Sequence, residues 1–178
     1  MMAYRTDGYG RGAFAPWIWP LVFGLAAIAL SLAPINLAAE IVPTPHWLLA
    51  VLMFWTARRP QSTPPLLVFL LGALHDLVTD GPIGAEIFAL LVSVEALRSI
   101  SRLRPHQHFV VEWLRIAACA LLFELIVRAI LGVTLTPAPL FGEIALRYAS
   151  TVAAYPLIVL FLRGGFGLGR SDRKWISL

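Results

Sequence analysis

Apolar residues run through this chain in six blocks, separated by short stretches that collect Pro, Gly and charged positions. The blocks cover roughly Trp17–Ala33, His46–Ala57, Pro65–Val78, Gly84–Ile100, Phe109–Leu131 and Ile144–Leu162. A helix that crosses a bilayer needs about 20 apolar residues, with a range of roughly 17–25. The second and third blocks fall short of that. Extending the second upstream through "INLAAEIV" would place Pro43 and Pro45 inside a helix, where they break it. The Pro34–Pro45 connection therefore reads as an interfacial stretch leading into a short span. The pattern predicts an all-α integral membrane protein, a compact bundle of six transmembrane helices, with five as the alternative count.

Composition strengthens the membrane reading. Hydrophobic residues make up 59% of the 178 positions and charged residues 13%, whereas soluble domains carry about 25% charged residues. The net charge of +4 raises nucleic acid as a partner, but most of the basic residues sit in the tails and short loops that flank the apolar blocks, where membrane topology explains them. The single cysteine, Cys119, lies in an apolar run and excludes a disulfide framework or a cysteine metal site.

The arginines also predict orientation. Arg5 and Arg11 precede the first block, Arg58 and Arg59 follow the second, Arg98, Arg102 and Arg104 lie where the fourth gives way to the fifth, and Arg163, Arg170, Arg173 and Lys174 follow the sixth. The alternate connections, near residues 34–45, 79–83 and 132–143, contain no Lys or Arg. Basic loops stay cytoplasmic, so both termini are expected there and the span count is even. The chain divides into a tail (1–15), a membrane domain (16–163) and a second tail (164–178). Trp17, Trp19, Trp47, Trp55 and Trp113 fall at predicted ends, where amphipathic rings favour the headgroup zone. The first block also has the outline of a signal peptide ending in "LAAE"; a retained helix preserves the charge alternation.

Ionisable residues inside the spans are costly in lipid and normally face the bundle interior or water. Asp76 and Asp80 share one helix face with Gly72, a residue that admits a neighbouring backbone. Gly81, Pro82 and Gly84 suit a tight reversal, with Asp80 as N-cap of the next helix and Glu86 in its first turn. Glu112–Arg115, Glu124–Arg128 and Glu143–Arg147 are spaced as i,i+3 or i,i+4 pairs. Asp76, Asp80, Glu86, Glu124, Arg128, Glu143 and Arg147 all fall at the outer level, which predicts one buried polar cluster there. Glu95 with Arg98 or Arg115 makes a smaller cytoplasmic one. His75 and Asp76 are adjacent and diverge by about 100° on a helix, which makes them poor joint metal ligands. His46, His106 and His108 stand beside loops and are expected to be solvated. No metal, cofactor or catalytic constellation is read from the spacing.

Two stretches carry a family resemblance. "PHWLLAVLMFWTARRPQ" (Pro45–Gln61) resembles an early block of the rod shape-determining MreD family, a span that ends in a Trp and then Arg58, Arg59 and Pro60. "FLLGALHDLVTDGPIGAEIFALL" (Phe69–Leu91) is similar to that family's most distinctive block, with Gly72, Asp76, Gly81, Pro82 and Gly84 on its pattern. Glu86 and Glu95 depart from it. The resemblance implies a non-enzymatic subunit of the bacterial inner (cytoplasmic) membrane that helps to organise lateral peptidoglycan synthesis in the elongation (rod) complex. It implies an MreC-type single-span protein as partner, with MreB, RodA and the elongation transpeptidase as complex members. Small residues at Gly24, Ala26 and Ala27, and at Ala117, Ala118 and Ala120, are candidate helix-docking faces. The competing reading is the substrate-binding membrane subunit of an energy-coupling-factor type vitamin or metal transporter, which is also a six-helix protein of this size.

Overall fold

The second apolar block, shorter than an ordinary membrane span, forms the centre of the molecule. In the computed structural model, which describes residues 16–32, 44–79, 84–103, 108–134 and 139–166, the chain forms α1 (Ile18–Leu32), α2 (Trp47–Arg58), a single 3₁₀ turn (Pro60–Ser62), α3 (Pro65–Val78), α4 (Ala85–Leu103), α5 (Phe109–Val133) and α6 (Phe141–Phe166). Every residue of α2 from Leu48 to Thr56 is buried, and α1, α4, α5 and α6 all pack on it. A helix that is apolar on every side has no face for water, so it goes to the middle and the others sheathe it. The described residues contain no strand.

Prolines and caps punctuate the helices. His46 caps α2, its Nδ1 accepting the Leu49 N–H at 3.3 Å. At the other end the Arg59 N–H donates to the Trp55 carbonyl at 2.7 Å. Pro60 then opens the 3₁₀ turn and Pro65 stands at the first position of α3, where its missing N–H costs no helical bond. Gly84, just before α4, has φ +99°, a backbone state that a side chain resists.

Two glycines set helix spacing. A Cβ on Gly24 would lie 2.5 Å from Leu71 Cδ1, and one on Gly72 would lie 3.2 Å from Leu90 Cδ1 and 3.4 Å from the Ile87 backbone. Gly72 thus lets α3 and α4 approach closely. Gly24, expected on a partner-facing surface, packs inside against α3 instead.

α5 (25 residues) and the Phe141–Leu162 part of α6 (22 residues) are long and apolar enough to cross a membrane; α1, α2 and α3 are shorter. The exterior is oily. On α3, Leu66 and Leu77 are 68% and 71% exposed, and on α6, Leu160 and Phe161 are 73% and 71% exposed. Contiguous apolar surface of this kind suits lipid or a partner rather than water. Trp17 and Trp19 are partly exposed at the start of α1. Trp55, expected in the headgroup zone, is instead buried, its ring 6.1 Å from Phe23 and 5.8 Å from Phe54, because α2 lies at the centre.

Trp113 has a specific task. Pro156, inside α6, has no N–H to give the Val152 carbonyl four residues back. The Trp113 indole of α5 donates to that carbonyl at 3.0 Å. Trp113→Phe is expected to cost about 1–3 kcal/mol, the range for a polar group left unsatisfied. Adding Pro156→Ala should recover most of that loss, because the alanine brings a backbone N–H that can serve the Val152 carbonyl instead. Thermal unfolding in detergent of the four members of this cycle checks it; additive losses would refute the assignment.

Candidate functional site

Polar side chains gather at the two ends of α2, which at 1.5 Å per residue lie about 18 Å apart. At the His46 end, three segments converge on Glu86 in the first turn of α4. His75 Nδ1, in the last turn of α3, donates to Glu86 Oε2 at 2.7 Å, and His46 Nε2 lies 3.5 Å from the same oxygen. The two imidazoles are 5.1 Å apart, and His46 also meets Phe123 edge-on at 4.8 Å. Asp76, buried next to His75, turns to a different partner: its Oδ2 accepts the Gly84 N–H at 2.7 Å. A carboxylate at a helix N-terminus satisfies amides that the helix itself cannot and meets the positive end of its dipole.

The same layer continues into α5 and α6. The His46 N–H donates to Thr151 Oγ1 at 2.9 Å, and Thr151 Oγ1 donates to the Arg147 carbonyl at 2.7 Å. The Arg147 guanidinium grips Glu124 with two bonds, Nε–Oε1 at 3.1 Å and Nη2–Oε2 at 2.6 Å. Glu124 is buried, so this fork ties α5 to α6 with planar, two-point geometry.

A second layer forms at the Arg58 end. Glu112 Oε1 accepts from Arg58 Nη2 at 3.0 Å and from the Tyr155 hydroxyl at 2.6 Å, which joins α2, α5 and α6. The Arg58 guanidinium also lies 4.8 Å from the centre of the Phe54 ring, a favourable cation–π position. Arg98, buried in α4, donates to Glu95 and to the Thr63 carbonyl, and Thr63 Oγ1 hydrogen-bonds Thr56 Oγ1 at 2.9 Å. That network fastens the α2–α3 connection to α4.

Residues 12–164 match the profile of the rod shape-determining protein MreD family. The chain belongs to that family. Comparison with curated proteins and with solved structures finds no match to this chain. Membership places it among membrane-associated proteins of cell-shape determination, and the apolar helices fit a membrane protein.

The MreD-like residues occupy turns and crossings. Gly72 is at the α3–α4 crossing, Asp76 holds the α4 N-terminus through Gly84, Arg58 joins the Glu112 network, Arg59 is exposed at the α2 cap, and Pro60 starts the 3₁₀ turn. Asp80, Gly81 and Pro82 lie outside the described residues, as do the Pro34–Pro43 part of the expected interfacial stretch, both chain ends (1–15 and 167–178) and His106. The expected single outer cluster resolves into separate partnerships. Glu124 and Arg147 pair across helices, so the two local i,i+4 pairs give way to one interhelical fork. Arg128 instead donates to the Pro139 carbonyl at 3.2 Å and stacks 3.5 Å over Phe141. Glu143 is exposed. Glu112, paired by spacing with Arg115, binds Arg58 and Tyr155. Glu95 meets Arg98 as expected.

His46 is the clearest correction. It is buried rather than solvated, because Thr151 of α6 and Phe123 of α5 cover it. Sequence reasoning misses its role, yet a signal exists: the charge alternation puts His46, His75 and Glu86 at one membrane level, each at the end of a predicted helix.

Proposed function

We propose that this chain is a non-enzymatic, six-span subunit of the bacterial inner membrane, with both termini cytoplasmic, and that it organises lateral peptidoglycan synthesis by holding an MreC-type single-span partner within the elongation complex. The observation that carries this reading is where the charges go. Glu124, Glu112, Asp76 and Arg98 all find partners inside the chain, while large apolar side chains such as Leu66, Leu77, Leu160 and Phe161 are exposed on the outer faces of α3 and α6. Helices meet in lipid through small residues and close packing, so a scaffold of this design works through its helix faces.

One such face is a trough of about 310 Å³. Phe23, Ala26 and Leu30 of α1 form one wall, Leu157 and Phe161 of α6 the other, and Val51 of α2 the floor. Both walls repeat at helical spacing over one to two turns, as a docked helix requires. A transported vitamin would need convergent polar groups, and among the lining residues only Trp47 carries a polar side-chain atom, its indole nitrogen.

Ala26→Trp fills the trough without touching either polar layer. It is expected to reduce co-purification of the single-span partner by at least about tenfold, roughly 1.4 kcal/mol, with expression and thermal stability unchanged. Cells carrying it as the sole copy should round up, as depleted cells should. Normal partner recovery with the trough filled would overturn the docking site. Normal rod shape on depletion would overturn the functional reading.

A further inference from the structure

We propose that His46, His75 and Glu86 form a binding site for one divalent transition-metal ion of the zinc class. Each residue offers a ligand atom, and the three atoms lie within 4.8 Å of one another. They come from the entry to α2, the last turn of α3 and the first turn of α4, so an ion there would tie three helix ends together. The donor set is two imidazoles and a carboxylate, which suits zinc-like ions and not magnesium or calcium, whose sites are built from oxygen.

Two further observations point to a ligand. His46 Nε2 is buried, has no hydrogen-bond partner and faces Glu86, with its side chain only 4% exposed. A buried ring nitrogen left in that state is costly, and a metal bond would satisfy it. Charge points the same way. Among the described residues the side-chain contacts of Glu86 are to the two imidazoles, and Asp76 accepts the Gly84 amide. No salt bridge among the described residues joins an arginine to Glu86, and a dication would neutralise that carboxylate.

Loading requires a shift of tautomer. His46 Nδ1 now accepts the Leu49 N–H, and His75 Nδ1 donates to Glu86. On binding, His46 Nε2 and His75 Nδ1 each present a lone pair to the ion, and each ring carries its proton on the other nitrogen. The Leu49 bond is given up. At 3.3 Å it is already beyond the usual N–H···acceptor range. Glu86 remains 18% exposed, so a fourth position is open to water.

The test uses the full-length chain with a histidine-free tag, purified in detergent, stripped with a chelator and titrated with zinc chloride. One zinc per chain and a raised thermal midpoint are expected, and cobalt substitution should give the intense visible bands of four-coordinate cobalt. Glu86→Gln and His75→Gln should each weaken zinc binding by at least roughly 10- to 100-fold, the loss that even an outer-shell partner causes. Zinc recovered below one per chain, or bound equally by the Glu86→Gln/His75→Gln double variant, would overturn the site. If a variant fails to fold, X-ray absorption of the zinc-loaded native chain decides, with two imidazole nitrogens expected and fewer refuting. The site stands or falls independently of the scaffold reading, since neither the partner assay nor the shape assay depends on zinc.

Discussion

Arg147→Met is expected to destabilise the chain by about 3 kcal/mol, the low end of the cost of breaking a buried ion pair, because Glu124 is buried and Arg147 is partly exposed. Glu124 is 5% exposed at its side chain and both its oxygens bond Arg147. Without the guanidinium, the carboxylate is left as a lone charge between α5 and α6, in surroundings that cannot solvate it. The double variant Glu124→Leu/Arg147→Met should recover most of the loss, because two apolar side chains of similar volume need no partner. Unfolding in mild detergent titrated with sodium dodecyl sulfate gives both values. A double variant as unstable as Arg147→Met alone would mean that the pair does more than neutralise itself.

Glu112→Leu should cost about 3 kcal/mol, because it strands two donors at once, the Tyr155 hydroxyl and the Arg58 guanidinium. Tyr155 is wholly buried, and its hydroxyl donates to Glu112. Removing that hydroxyl therefore changes sign with context. In the native chain Tyr155→Phe loses a charge-assisted bond and destabilises by about 1.5–3 kcal/mol. In the Glu112→Leu background it removes a stranded polar group and should be neutral or stabilising. Equal losses in both backgrounds would show that Tyr155 contributes through packing alone.

How much of this is legible in the sequence varies with the range of the interaction. The bounds of α3 coincide with the expected Pro65–Val78, since a proline opens the helix and the turn residues that follow close it. α6 begins earlier than expected, at Phe141, because its first turn mixes Phe141 with Gly142 and Glu143 and lacks the apolar run that marks a span. The role of Gly72 is legible as well, since a glycine one turn before an acid on a helix face has few uses besides close packing. The ion pairs are not. Spacing rules see only neighbours on one helix, so Glu124–Arg128 and Glu143–Arg147 look complete. Burial decides otherwise: Glu124 points into the bundle, whereas Arg128 reaches the α5–α6 connection. His46 shows the limit most plainly. Its backbone partner, Thr151, is 105 positions away, and nothing local marks that contact.

The length of α3 carries a consequence for the lipid around it. Its 14 residues rise about 21 Å, against a hydrocarbon thickness of about 30 Å, and Leu66, Leu70, Leu74 and Leu77 face outward. Embedded as proposed, that flank compels the surrounding acyl chains to shorten, at fractions of a kcal/mol for each ångström of mismatch. Other proteins with equally short flanks relieve the same deformation by sharing it, so a thinned annulus beside α3 would draw such neighbours in before any side chain touches.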